Sequence, residues 1–166
     1  MESGEGAGGV GLADTTARRG DLVGNGECVT YVKAVTPGLE NTQTSGWKAG
    51  EQVKGANLPT GTAIMTSTPG GGYPTGKSPR HGAVYLGQNA NGIRVLDQWA
   101  ERKDSKGKVT RGSHVVQERT IRFTGKGGVD DANSYFVIKT SLLRLKDLYW
   151  IERKREDFFE SDHEIA

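Results

Sequence analysis

At 166 residues the chain is long enough for one domain with a proper core, and 22 basic against 20 acidic side chains leave too balanced a surface to argue for nucleic acid. A lone cysteine excludes an intrachain disulfide and a cysteine-rich metal site, and no run approaches the roughly 18 apolar residues that span a bilayer. Much of the glycine, 25 residues in all, sits in loops at 4–11, 70–72 and 125–128, so the ordered part is expected to be roughly 100–120 residues.

The first residues, Met1-Glu2-Ser3-Gly4-Glu5-Gly6, have neither a basic start nor an apolar core and do not read as a Sec signal peptide. Residues 1–20 read as a flexible lead-in, and no apolar segment follows Arg18-Arg19 to make it a twin-arginine signal. Residues 24–35 follow. Asn25 and Gly26 lead into Cys28, and an apolar run at three- and four-residue spacing leaves it, which predicts a helix that begins near the thiol. Unpaired backbone N–H groups and the helix dipole favour an anion at that place, so a thiolate there is stabilised. Most free cysteines are small buried hydrophobes, and that remains the competing reading.

Pro37-Gly38 ends the helix. Residues 47–55 are predicted as a short helical turn with Trp47 and Val53 inward, closed by Gly55. Strands follow at 62–66, 81–86 and 93–99, the last two joined through the Asn91-Gly92 signature of a tight hairpin. A charged loop at 101–108 precedes strands at 114–116 and 120–123, a turn at 125–128, and a final strand at 134–138. The layout is α+β: a helix carrying the cysteine, packed on an antiparallel sheet of about five or six strands. Residues 21–140 form the domain, and 141–166 are a charged helix or tail with Leu142, Leu145 and Leu148 at helical spacing.

Cys28, His81 at the head of one strand and Asp97 on its hairpin partner now stand together. Positions 81, 83 and 85 share a face, as do 93, 95, 97 and 99, so the hairpin can aim His81 and Asp97 the same way. A thiol nucleophile needs a base, and the base needs a group that fixes its tautomer. A carboxylate among Val95, Leu96 and Trp99 is an odd choice unless something pairs with it. His114, beside Val115-Val116, reads as a surface or strand-edge residue, and His163 as solvated. Trp47 and Trp99 read as core. Residues 70–76 are either a rim of the cleft or a plain loop, and no His/Asp/Glu cluster has metal-ligand spacing.

The residues Gly24-Asn25-Gly26-Glu27-Cys28-Val29, Trp47 to Gly55, His81-Gly82-Ala83-Val84-Tyr85-Leu86-Gly87 and Asp97-Gln98-Trp99 resemble the papain-like amidase superfamily. Within it, the chain is similar to the CHAP and NlpC-type bacterial hydrolases, and most of all to a small family of secretion-delivered relatives. The resemblance covers about residues 20–138. It implies a papain-like, NlpC-like fold and a cysteine amidase or endopeptidase that cleaves the peptidoglycan stem peptide as an antibacterial toxin. Cys28 would be the nucleophile, His81 the general base and Asp97 the orienting acid, with no cofactor and no metal. The papain pattern has a glutamine six residues before the nucleophile. Leu22 stands there, so Asn25 or Gln98 is the expected substitute for that oxyanion donor.

A chain without a Sec signal that acts on the wall implies synthesis in the cytoplasm, injection by a type VI secretion machine, and action in the periplasm or wall of a target cell. A cognate immunity protein and a carrier on the secretion machine are implied as partners; nucleic acid and membrane insertion are not. An acyltransferase on the same fold and a catalytically silent binding module are the alternatives.

Overall fold

The structure, a computed structural model, describes residues 9–140. The helix or tail expected over 141–166 lies outside the described residues, as do positions 1–8 of the lead-in. The described elements, in order, are α1 (Cys28–Val35), β1 (Trp47–Gln52), β2 (Ala63–Thr66), β3 (Gly82–Asn89), β4 (Gly92–Trp99), β5 (Arg102–Lys103), β6 (Val109–Arg111), β7 (His114–Arg122) and β8 (Tyr135–Thr140).

Helix α1 forms because Cys28, Tyr31, Val32 and Val35 fall on one buried stripe at three- and four-residue spacing. Its start is fixed from outside the helix: the Asn25 Oδ1 accepts from the Glu27 N–H at 3.0 Å and the Thr30 hydroxyl at 2.6 Å. Its end follows from Pro37. A residue ahead of proline is pushed out of the α region, and Thr36 is extended at φ −111° and ψ 111°. Gly38 then turns at φ +90°, where a β-carbon would collide with the Gly9 carbonyl.

Six strands form one antiparallel sheet in the order β1-β8-β2-β3-β4-β7. Strands β2, β3, β4 and β7 run as the expected meander, but β8 returns to insert between β1 and β2. Helix α1 packs on β3 and β4. One core cluster holds Tyr31, Val32, Trp47, Met65, Val84 and Leu96; a second holds Ile64, Ala83, Tyr85, Ile93, Val95 and Tyr135. The alternation 83/85 against 84, and 93/95 against 96, is the period-two signature of a sheet buried on both faces.

Four sequence expectations change. Residues 47–52 are a strand rather than a helical turn, because they pair with β8 from Trp47 opposite Thr140 to Gln52 opposite Phe136. Trp47 and Val53 do point inward and are fully buried. The stretches at 114–116 and 120–123 are one nine-residue strand, held in register along β4. The charged loop after Glu101 contains the β5–β6 ribbon. The turn of the β3–β4 hairpin is Ala90-Asn91, with Asn89 opposite Gly92. Gly92 is thus the first residue of β4, where a β-carbon would strike the Ile121 carbonyl and the Arg122 backbone. A close approach of strands, not a turn conformation, calls for that glycine.

Residues 10–20 are also not a free lead-in. Val10 and Ala13 are buried in the first cluster. The Gly11 N–H donates to the Pro37 carbonyl at 2.7 Å, Ala13 to Gly61 at 2.8 Å and Gly20 to Val116 at 2.7 Å. Two small apolar side chains and a hydrogen-bonded backbone strap this segment over the exit of α1, which glycine-rich composition concealed.

Candidate active site

The β3–β4 hairpin brings His81, one residue ahead of β3, against Asp97 near the end of β4. The His81 Nε2 lies 2.7 Å from the Asp97 Oδ2, and both side chains are almost fully buried. With Nε2 engaged, Nδ1 is the ring nitrogen left for the thiol. Cys28 opens α1 beside it, where the first N–H groups of a helix have no intrahelical partner. The Cys28 Sγ lies 3.7 Å from the Tyr73 hydroxyl. The structure therefore brings together Cys28, His81 and Asp97.

Their electrostatics follow from burial set against contact. Burial alone raises the Cys28 pKa, but the His81 ring, the Gly82 N–H and the Tyr73 hydroxyl outweigh it, and the thiol lies below its ordinary value. Burial alone lowers the His81 pKa, yet the Asp97 hydrogen bond and the Cys28 contact push it up to about 9. Both shifts favour a thiolate beside an imidazolium over the neutral pair. The Asp97 carboxyl stays below the usual carboxylate range: burial opposes its charge, and His81 and Arg119 overcome it. The phenol of Tyr73, raised by burial and by the neighbouring thiol, keeps its proton and donates.

Three contributors were not legible in the sequence. Arg119 on β7 donates from Nε to the Asp97 Oδ2 at 2.7 Å, a second partner for that oxygen of a carboxylate with no exposure. The register of β7 on β4 places it there; a lone arginine in a charged strand gives no such signal. Tyr73 comes from the glycine-rich loop, which is the rim of the cleft and carries a side chain to the thiol. His114, expected at a strand edge, stacks on Trp99 at 4.0 Å and 11° and sets its Nε2 3.3 Å from the Asp97 Oδ1. That pair is not aligned as a hydrogen bond, and neither atom has another partner. Burial and Arg119 hold the His114 pKa below its ordinary value despite Asp97, which favours the neutral ring.

The two expected oxyanion substitutes are placed otherwise. Gln98 is buried, accepts from the Val23 N–H at 2.6 Å, and donates to the Val23 and Glu27 carbonyls at 3.0 and 2.8 Å. Both amide hydrogens are committed, so Gln98 is a clamp on the turn that precedes Cys28 and no donor to substrate. Asn25 fixes the start of α1 through its carbonyl oxygen and is not among the residues that line the cleft. Replacing Gln98 with alanine is expected to cost about 1–3 kcal/mol, since buried backbone groups lose their partners. Thermal unfolding should show a drop of about 2–4 °C per kcal/mol, and kcat should fall with it because the thiol's turn loosens. An unchanged midpoint would contradict the clamp.

Cys28, His81, Tyr73 and Trp99 line a cleft of about 290 Å³, together with Glu27, Arg80, Arg102 and Arg111. Among the described residues no group of three or more His, Cys, Asp or Glu is placed to hold a metal ion, and no helix is long and apolar enough to cross a membrane. The arrangement suits nucleophilic attack on a carbonyl.

A family model described as domesticated amidase effector 2 matches residues 6–138. A curated Salmonella typhi protein named type VI secretion amidase effector 2 protein is 35% identical over 108 residues, which are 58% of this chain and 74% of that protein. A solved structure of a type 6 secretion amidase effector 2 superposes with a TM-score of 0.59 at 29% identity, covering 80% of this chain and 96% of that one.

Proposed function

The chain belongs to the domesticated amidase effector 2 family, and from that premise we propose that it hydrolyses an amide bond of the peptidoglycan stem peptide through Cys28, His81 and Asp97. The papain-like fold, the amidase activity and the role as a secretion-delivered antibacterial effector belong to that family reading. CHAP and NlpC-type are coarser names for the same likeness. The observation that carries the assignment of residues is the pairing of a depressed Cys28 with a His81 raised to about 9 and anchored 2.7 Å from Asp97.

In the reaction the Cys28 thiolate attacks the amide carbonyl carbon and forms the C–S bond. The resulting oxyanion is held by the Cys28 backbone N–H, and the Tyr73 hydroxyl, released from the sulfur once the C–S bond has formed, turns its proton to the oxyanion. The His81 imidazolium passes its proton from Nδ1 to the leaving nitrogen, and the C–N bond breaks to leave a thioester. His81, now neutral, takes a proton from water as it attacks the thioester. The acid product leaves, and the thiolate–imidazolium pair is restored. Asp97 fixes the ring's orientation and stabilises its charge throughout.

The substrate lies in the wall of a target cell, reached by type VI secretion; a cognate immunity protein that covers this cleft is the partner such a toxin requires in its producer. Digestion of purified peptidoglycan, with fragments read by mass spectrometry, tests the reading. The expected products are stem-peptide fragments separated by one water across an amide, and their masses name the bond. An undigested sacculus would overturn it.

A further inference from the structure

The cleft that holds Cys28 and His81 is unusually rich in guanidinium groups: Arg80, Arg102 and Arg111 line it, against one carboxylate, Glu27. Arg102 on β5 stands directly opposite Arg111 on β6. Like charges opposed across an antiparallel pair are destabilising, and a two-stranded ribbon has little stability of its own to spare. Other cations nearby do find acids: Lys103 lies 3.2 Å from Glu101, and Arg94 2.8 Å from Glu118. Among the described residues, neither Arg102 nor Arg111 makes an ion pair.

Arg111 is nonetheless held in place. Its guanidinium lies 4.1 Å from the centre of the Trp99 ring. The Trp99 indole N–H is itself fixed, donating to the Gly112 carbonyl at 2.9 Å. Stacking sets the plane of the guanidinium and leaves its edge donors unused. Burial and the Arg102 charge both lower the Arg111 pKa, with Asp130 and Asp97 acting only as a weaker opposing field. The repulsion between the two arginines is thus felt, and no ion pair among the described residues relieves it.

We propose that Arg102 and Arg111 form a carboxylate-binding subsite of the catalytic cleft, which takes the free carboxylate of a peptide residue flanking the scissile amide. One carboxylate between two guanidinium forks removes their repulsion and offers each a charge-assisted hydrogen-bonded pair. The ribbon then has a purpose: it carries the two forks to the edge of the cleft, beside Trp99. The inference rests on the amidase reading for the identity of its ligand as a peptide.

The test compares two synthetic stem peptides that differ in one group, a free carboxylate or a carboxamide on the residue flanking the scissile amide. Calorimetry on Cys28→Ala is expected to give about tenfold tighter binding of the carboxylate peptide. Adding Arg102→Gln and Arg111→Gln should bring the two peptides to equal affinity. Lysine at both positions should keep part of the preference, because the charge stays and the fork is lost. A variant that merely misfolds would lose both peptides together and could not produce this pattern. Equal affinity in Cys28→Ala, no binding of either peptide, or a preference that survives the double glutamine change would each overturn the subsite. Cleavage by the wild-type protein is scored separately. A binding preference without cleavage sustains the subsite and sinks the amidase reading; cleavage without a preference does the reverse.

Discussion

Replacing Cys28 with serine is expected to lower kcat/KM for amide cleavage by on the order of 10⁴–10⁶-fold while leaving the fold stable to within about 1 kcal/mol. The substitution is nearly isosteric, so packing at a site with 7% exposure changes little. What changes is the acid. The contacts with His81, Gly82 and Tyr73 depress the thiol's pKa and so favour its anion before substrate arrives. A serine hydroxyl cannot ionise under the same influences and must wait for a base that, at neutral pH, already carries its proton. Kinetics on a defined stem peptide, paired with a thermal melt, separate this loss from unfolding. A serine variant that retains a tenth of the activity would remove Cys28 from the mechanism.

The second large effect is at Asp97. Asp97→Asn is expected to reduce kcat by roughly 10²–10⁴-fold, because the amide can still accept from the ring but lacks the charge that keeps it protonated, and its NH2 can favour the wrong tautomer. The direction of the pH shift follows from the balance at His81. Burial lowers its pKa, and Asp97 and Cys28 raise it to about 9. In the wild-type protein the imidazolium persists up to about pH 9, so activity should fall as pH rises through that value. Without the Asp97 charge burial gains ground, and the alkaline limb of the profile should move to lower pH.

Stability moves in the same sense. A group whose pKa is raised by folding contributes stability that is complete below its unfolded value. That contribution disappears as pH rises through about 9. Asp97→Ala should cost about 3–5 kcal/mol, since it leaves Arg119 and His81 facing an unpaired, buried gap. An Asn variant with the wild-type alkaline limb would show that Asp97 does not set the His81 charge.

The difference between what the sequence revealed and what it hid has a physical pattern. The proposed catalytic set was legible because its signals are local: a turn and a helical apolar stripe around Cys28, and a hairpin that can aim His81 and Asp97 the same way. The odd presence of a carboxylate at Asp97 among apolar neighbours was itself a pointer to a partner. Arg119, His114 and Tyr73 were hidden because each reaches the site through tertiary register, by the pairing of β7 on β4 or by the path of a long loop. Local propensity also misread residues 47–52, where pairing with β8 overrides a helix-compatible sequence. Composition misread residues 10–20, where glycine suggests a linker but Val10 and Ala13 complete the core. Gln98 was expected as an oxyanion donor, but its amide hydrogens are committed to the Val23 and Glu27 carbonyls and it has no donor to lend.

The central claim is that Cys28 rests as a thiolate against a protonated His81. The most direct test is the pH dependence of Cys28 alkylation by iodoacetamide, followed by mass spectrometry, in the wild-type protein and in His81→Ala. With one cysteine in the chain the signal is unambiguous. The account predicts that the wild-type thiol stays reactive well below neutral pH, and that in His81→Ala the reactivity rises only in the alkaline range of an ordinary or buried thiol. A wild-type profile that follows the ordinary thiol titration, with His81→Ala superimposed on it, would contradict the ion pair and with it the mechanism.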